Sequence, residues 1–141
     1  MYKKILVPID VEEAEVTNRV IKEAVALAID TKAQLRFVNV QTMASSIFIE
    51  FSPPDLEGKI QLVAEKRLGE ILAGADYPQE LISSIVRIGS IYDEALTEAA
   101  EWGADLIVVG SRRPTTSTYL LGSNAANIVR HAKCSVLVVR Q

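Results

Sequence analysis

Three short blocks of this chain are almost wholly apolar: Ile5 to Ile9, Leu106 to Val109, and Val136 to Val139. Each is rich in β-branched residues and too short for an independent helix, so each reads as a strand. Their apolar character is continuous rather than alternating, the pattern required by a parallel sheet covered on both faces. Two further strands are expected at Leu35 to Val40 and Leu81 to Ile88. Both carry polar residues inside (Arg36 and Asn39; Ser83, Ser84 and Arg87), as strands nearer one edge often do.

Helical patterns fill the gaps. Val16, Val20, Ala24, Leu27 and Ala28 fall on a single helix face. Leu56, Ile60, Val63, Arg67, Leu68, Ile71 and Leu72 repeat that rhythm behind Pro53 and Pro54, residues suited to a helix start. A third helix is predicted from Ile91 to Trp102, with Ser90 and Asp93 spaced as a capping box and Gly103 as its stop. A shorter fourth runs from about Ser123 to His131. The order β-α-β-α-β-α-β-α-β implies right-handed crossovers and one doubly wound sheet, read as one domain over residues 1–141. The stretch from Gln41 to Ser52 lacks periodicity yet holds Met43, Ile47, Phe48, Ile49 and Phe51, which fits a flap, an interface element or a short extra helix.

Composition narrows the function. A formal net charge of −3 argues against a dedicated nucleic-acid binder. One cysteine, Cys134, excludes an internal disulfide framework and a multi-cysteine metal site. One histidine, His131, weakens any case for a zinc site or a Ser-His triad. No apolar run approaches the roughly 20 residues that span a bilayer, and the apolar start is broken at Pro8, so no signal peptide is read. A cytoplasmic protein with no membrane partner is the expectation.

Ligands of open α/β sheets bind outside the carboxyl ends of the strands. Here those ends are Pro8-Ile9-Asp10, Val40-Gln41 and Val109-Gly110-Ser111. Asp10 suits either a helix cap, spaced with Glu13 as a capping box, or a ligand contact. Gly110 follows a buried strand, where a missing side chain lets backbone approach a ligand. Gly122 and Ser123 open a helix whose free N–H groups suit a phosphate, and Arg112 and Arg113 add positive charge. Together these point to an anionic ligand. The chain has no Walker-type loop and no Gly-x-Gly-x-x-Gly after the first strand, which sets aside P-loop hydrolases and dinucleotide dehydrogenases.

From Met1–Asp10 through Gly89-Ser90 and Gly103–Arg112 to Cys134–Arg140, the chain resembles the universal stress protein family over essentially its whole length. Gly110–Pro114 and Thr118–Ala126 look particularly like its small enterobacterial type F and G members. The resemblance implies a flavodoxin-like five-stranded sheet of order 3-2-1-4-5 with helices on both faces, a homodimer, and the ATP-binding branch of the family. It further implies that Asp10 hydrogen-bonds the adenosine while Pro8, Ile9 and Val40 wall its ring. Val109 and Gly110 would line the path to the phosphates, beside Arg112 and Arg113. Gly122, Ser123 and Asn124 would hold them. In the family pattern, Gly-x-x-Gly, nine residues, Gly-Ser/Thr, Arg113 stands at the second glycine and the spacer here is eight residues.

In that strand order the last strand is an edge, so Val136, Leu137, Val138 and Val139 are expected to pair with a second copy of the chain. Other residues have plainer readings. His131, Arg130 and Lys133 complement a helix dipole, Cys134 is buried filler, Trp102 packs on the sheet, and Glu12, Glu13 and Glu15 form a solvated helix start. The main reading is an ATP-binding stress-response regulator or adaptor with slow or no hydrolysis, with Mg²⁺ reached through Asp10 or Ser123 and an unidentified protein partner. The alternatives are a slow ATPase or self-modifying enzyme, and a nucleotide-free dimeric scaffold. No catalytic residue and no dedicated metal ligand is assigned.

Overall fold

A computed structural model describes residues 1–12, 14–42, 54–111 and 122–140. The elements are β1 (Lys4–Pro8), α1 (Ala14–Ala28), β2 (Gln34–Gln41), α2 (Leu56–Ala73), β3 (Ile82–Ile88), α3 (Ile91–Trp102), β4 (Leu106–Gly110), α4 (Ser123–His131) and β5 (Ser135–Val139). A single 3₁₀ turn, Gln79–Leu81, leads into β3, which therefore starts one residue later than the apolar pattern predicts. All four strand pairs are parallel, and the order is β3-β2-β1-β4-β5, the flavodoxin-like arrangement. The expected stretch from Gln41 to Ser52 and the Arg112–Arg113 pair lie largely or wholly outside the described residues.

Side chains of a strand alternate between faces, so a sheet covered twice needs two cores. Ile5, Val7, Leu35, Phe37 and Val108 face α1 and α2, whereas Leu6, Val38, Ile107 and Val109 face α3 and α4. The central strand is sealed on both sides: Ile5, Leu6 and Val7 are each 0% exposed. This is why the apolar blocks show no alternation.

Several local expectations shift. The buried stripe of α2 is Ala64, Leu68 and Leu72, at strict steps of four. Val63 falls outside it and is exposed, as is Leu27 of α1. Ser90 does occupy the N-cap of α3, but its hydroxyl makes no capping bond, so the Ser90–Asp93 box is not formed. Gly103 ends α3 in the left-handed conformation, φ 80°, where a Cβ would be strained. Of the two polar strands, β3 is the edge, but β2 lies inside the sheet.

The polar residues of β2 and β3 instead have a shared task. Glu98 of α3 is 3% exposed, and a buried carboxylate requires partners. Its two oxygens accept from Arg36 Nη1 and Arg87 Nη1, both at 2.9 Å. Arg87 also donates to Glu94 at 2.8 Å and Glu101 at 3.4 Å, and these carboxylates hold its guanidinium firmly protonated. Arg36 donates to Ser83 Oγ at 3.0 Å and lies 4.7 Å above the Trp102 ring, whose other cation is Lys4 at 5.4 Å. The cluster fixes how α3 sits on β2 and β3. Glu98→Ala leaves two half-buried arginines short of a partner and is expected to destabilise by roughly 2–4 kcal/mol in urea unfolding, whereas Glu101→Ala, at the exposed rim, costs less than about 0.5 kcal/mol. Equal small losses for both would refute the bridging role.

Candidate functional site

Strand order reverses between β1 and β4, because β2 and β3 lie to one side of β1 while β4 and β5 lie to the other. Ile5 pairs with Leu106 and Leu6 with Ile107, so continuing that register sets Ile9 level with Gly110. On the other side Pro8 pairs with Val38. The carboxyl edge therefore gathers the ends of β1, β2 and β4 and the start of α4, the place where such folds bind ligands.

At the end of β1 the backbone is held carbonyl by carbonyl. Ile9 N donates to Val38 O at 2.9 Å, and Ile9 O accepts from the buried Asn39 Nδ2, also at 2.9 Å. Asp10 O accepts from Thr17 Oγ1 of α1, and Asp10 Oδ1 accepts from Glu12 N at 2.8 Å. Asp10 thus closes a short turn into α1 and stays exposed at the edge, while its expected partner Glu13 lies outside the described residues. Glu12 is exposed, as expected, and pairs at the surface with Arg67 of α2.

The expected ring-wall residues divide. Pro8 and Val40 are half-buried at the strand ends. Ile9 is 8% exposed and packs into the core beneath α1 and α2, so it offers the edge its backbone rather than its side chain. Val109 is likewise buried, on the opposite face. Gly110 needs to be glycine for a reason other than ligand approach. A Cβ there would sit 2.8 Å from Val20 Cγ2 and 2.9 Å from Val16 Cγ1, so α1 packs directly on its backbone. Ser111 N then donates to Val139 O at 2.9 Å and its residue is buried.

At the start of α4, Gly122 rather than Ser123 is the N-cap, with φ −60° and ψ 153°. Gly122 O accepts from Ala126 N, Ser123 is exposed and Asn124 half-buried. The first turn carries no acidic residue, and Arg130 and His131 stand in the last, so the helix field is positive at the candidate end. His131 is exposed and stacks on Tyr92 with 6.4 Å between centroids. Cys134 is half-buried, and burial pushes its thiol up, which disfavours the reactive thiolate.

Beside Asp10 an open groove of about 300 Å³ runs between the β1–α1 turn, the end of β2 and α2. Val11, Glu12, Gln41, Lys59, Ile60, Val63, Ala64 and Arg67 line it. Sequence reasoning missed its α2 wall and the part played by Gln41, which ends β2 beside the expected Val40. The only signal available was Val63 standing off the strict four-residue stripe. Among the described residues no group of His, Cys, Asp and Glu could hold a metal ion, and no helix is long and apolar enough to cross a membrane.

These observations define a doubly wound α/β protein whose strand order reverses between β1 and β4. The profile of the Universal stress protein family matches residues 1–140, and the chain belongs to that family. It is 38% identical to universal stress protein G of Shigella flexneri over 143 residues, covering 99% of this chain and 100% of that one. It is 31% identical to universal stress protein A homolog 2 of Coxiella burnetii, over 99% of this chain and 95% of the relative. Among solved structures, hypothetical protein MJ0577 shares the fold with a TM-score of 0.81 at 24% identity, covering 100% of this chain and 97% of the other. A universal stress protein in complex with cAMP matches with a TM-score of 0.61 at 26% identity, over 99% of this chain and 97% of that one.

The packing at Gly110 can be checked without a ligand. Valine side chains are stiff, so Gly110→Ala should cost roughly 1–3 kcal/mol in urea unfolding, and Val20→Ala in the same chain should return much of that loss. A Gly110→Ala variant as stable as wild type would disprove the close contact.

Proposed function

We propose that this protein binds ATP at the carboxyl edge of its sheet and acts as a stress-response regulator or adaptor, with hydrolysis slow or absent. The observation that carries this reading is the amino end of α4, opened by Gly122, on the same edge as the exposed Asp10. Backbone N–H groups and the positive end of the helix field suit phosphates. The groove between β2 and α2 offers apolar walls for a ring, within the size range of small-molecule sites. A universal stress protein at 26% identity, solved in complex with cAMP, supports a nucleotide as the ligand.

In this reading Gly122, Ser123 and Asn124 hold the phosphates, Arg112 and Arg113 add charge, and Asp10 meets the sugar. Pro8 and Val40 flank the ring, with Ile9, Val109 and Gly110 contributing backbone. Mg²⁺, where bound, is reached from Asp10 or Ser123 through phosphate-bound water. Of the carboxylates at this edge, Asp10 already accepts from the Glu12 amide and Glu12 pairs with Arg67. That favours regulation over turnover. The protein is a cytoplasmic homodimer joined through β5, an apolar edge whose Leu137 is 38% exposed.

Calorimetric titration with ATP, followed by sedimentation of the same samples, tests both parts. Saturable heat is expected, together with a rise in stability of about 2.7 kcal/mol at a hundredfold excess over Kd and a dimer at micromolar concentration that Leu137→Lys dissociates. No heat from any adenine nucleotide at millimolar concentration contradicts the ligand. A wild-type monomer contradicts the dimer.

A further inference from the structure

Charge is divided unevenly across the sheet, whose edge strands are β3 and β5. Residues 70–105, which hold β3 and α3, contain eight carboxylates and one cation, Arg87, a net of −7 in a chain whose total is −3. Residues 106–141, which hold β4 and β5, contain five Lys and Arg side chains and no carboxylate. Much of the acidity beside β3 is at the surface: Asp76 and Glu80 precede the strand, Asp93 and Glu101 stand on α3, and all four are exposed. The edge of β3 is itself unguarded. It pairs with β2 on one side, and among the described residues no strand lies on the other. Gly89 N donates to Gln41 O at 2.9 Å, so Ser83, Ile85 and Arg87, in the same phase, turn their N–H and C=O groups to β2. Ser84, Val86 and Ile88 turn theirs outward. Open edges are commonly blunted by lysine or proline, and β3, Ile-Ser-Ser-Ile-Val-Arg-Ile, has neither. Its one charge, Arg87, is drawn against α3 by Glu94, Glu98 and Glu101.

We infer that the open edge of β3 is a strand-addition site for an extended segment of a partner protein in which basic and apolar residues alternate. This gives the adaptor reading its class of partner and rests on that reading, not on the nucleotide. The outward N–H and C=O groups of Ser84, Val86 and Ile88 supply the ladder, and the two flanks of the edge select the side chains. On the α3 flank an incoming residue meets Glu94 and Glu101. The Glu101 side chain is 65% exposed and holds Arg87 at 3.4 Å, the longest of that arginine's three contacts, so it is the carboxylate that an incoming Lys or Arg engages. On the α2 flank lie the half-buried Ile82 and Ile88 with Ser84 between them, a surface for apolar side chains. Successive residues of a strand point to opposite faces, hence the alternation. The same acidity repels nucleic acid and anionic lipid, leaving a basic polypeptide as the occupant.

The test is fluorescence anisotropy of the full chain, without nucleotide, against a labelled peptide of alternating lysine and valine. Saturable binding is expected, with a peptide of alternating glutamate and valine weaker by roughly tenfold or more. Ser84→Pro removes one outward N–H without touching the bonds to β2, and should weaken the lysine peptide roughly tenfold. Glu101→Lys should weaken it about fivefold. Thermal melts identify a variant that does not fold; should Ser84→Pro fail, a fully N-methylated lysine peptide decides, since it has no N–H for the ladder and should not bind. No saturable binding of the lysine peptide to wild type overturns the proposal and leaves the nucleotide reading standing. Equal binding of the lysine and glutamate peptides overturns the selection by charge. Binding that survives Ser84→Pro or N-methylation overturns the β3 edge as the site. Self-association of wild type that Ser84→Pro abolishes assigns the edge to a second copy of the chain and overturns the partner segment.

Discussion

Burial of β1 on both faces, between parallel neighbours β2 and β4, pushes every polar requirement of the central strand out to its two ends. The two ends are treated differently. At the amino end the carboxylate of Asp105 accepts from the amides of Lys3 and Lys4, at 2.9 and 3.1 Å, and closes the strand off. At the carboxyl end, buried or short side chains (Asn39 and Thr17) satisfy the carbonyls of Ile9 and Asp10. The Asp10 side chain is left at the surface. The same constraint that builds the core therefore gives the two edges of the sheet different polar surroundings.

Around this strand the structure accepts two local demands. One is the close seat of α1, which tolerates no side chain at Gly110 and so brings the start of that helix, and Thr17 with it, onto the β1–β4 crevice. The other is the Glu98 cluster, a buried charge on the opposite face. A buried ionic group is weak as a source of net stability but costly to break. Its effect here is positional: α3 is tied through Arg36 and Arg87 to the strands that lead toward Asn39 and Gln41.

Much of the fold was legible because β1 and β4 are sealed on both faces, so Ile5–Ile9 and Leu106–Val109 announce themselves by lacking alternation. Val136–Val139 has the same continuous apolar pattern but forms the edge strand β5, with Leu137 exposed, and the helices between the blocks leave one topology. What was not legible depended on contacts distant in sequence. Glu98 is a charged residue in a helix, and its own type does not mark it as buried; Arg36 and Arg87 read as edge-like strand residues until α3 is seen against them. Gly110 also seats α1, which strand position alone cannot reveal, because it does not show which helix crosses above it. Ser90 and Asp93 have the spacing of a capping box but not its bond. At the candidate site, Asp10, Gly122 and Ser123 were found from element boundaries, whereas Gln41 and the α2 wall became visible only once α2 was folded beside the end of β2.

The chain belongs to the Universal stress protein family, and the proposed nucleotide lies at the carboxyl edge of its sheet. The central claim is that one edge, and not the opposite one, receives the nucleotide. Mapping amide chemical shifts in the ¹⁵N-labelled protein on adding ATP addresses this directly. Saturable shifts are expected at Asp10, Gln41, Gly122 and Ser123, with Lys3, Lys4 and Asp105 unmoved. Shifts centred on Asp105 at the amino edge, or none at saturating ATP, would contradict it.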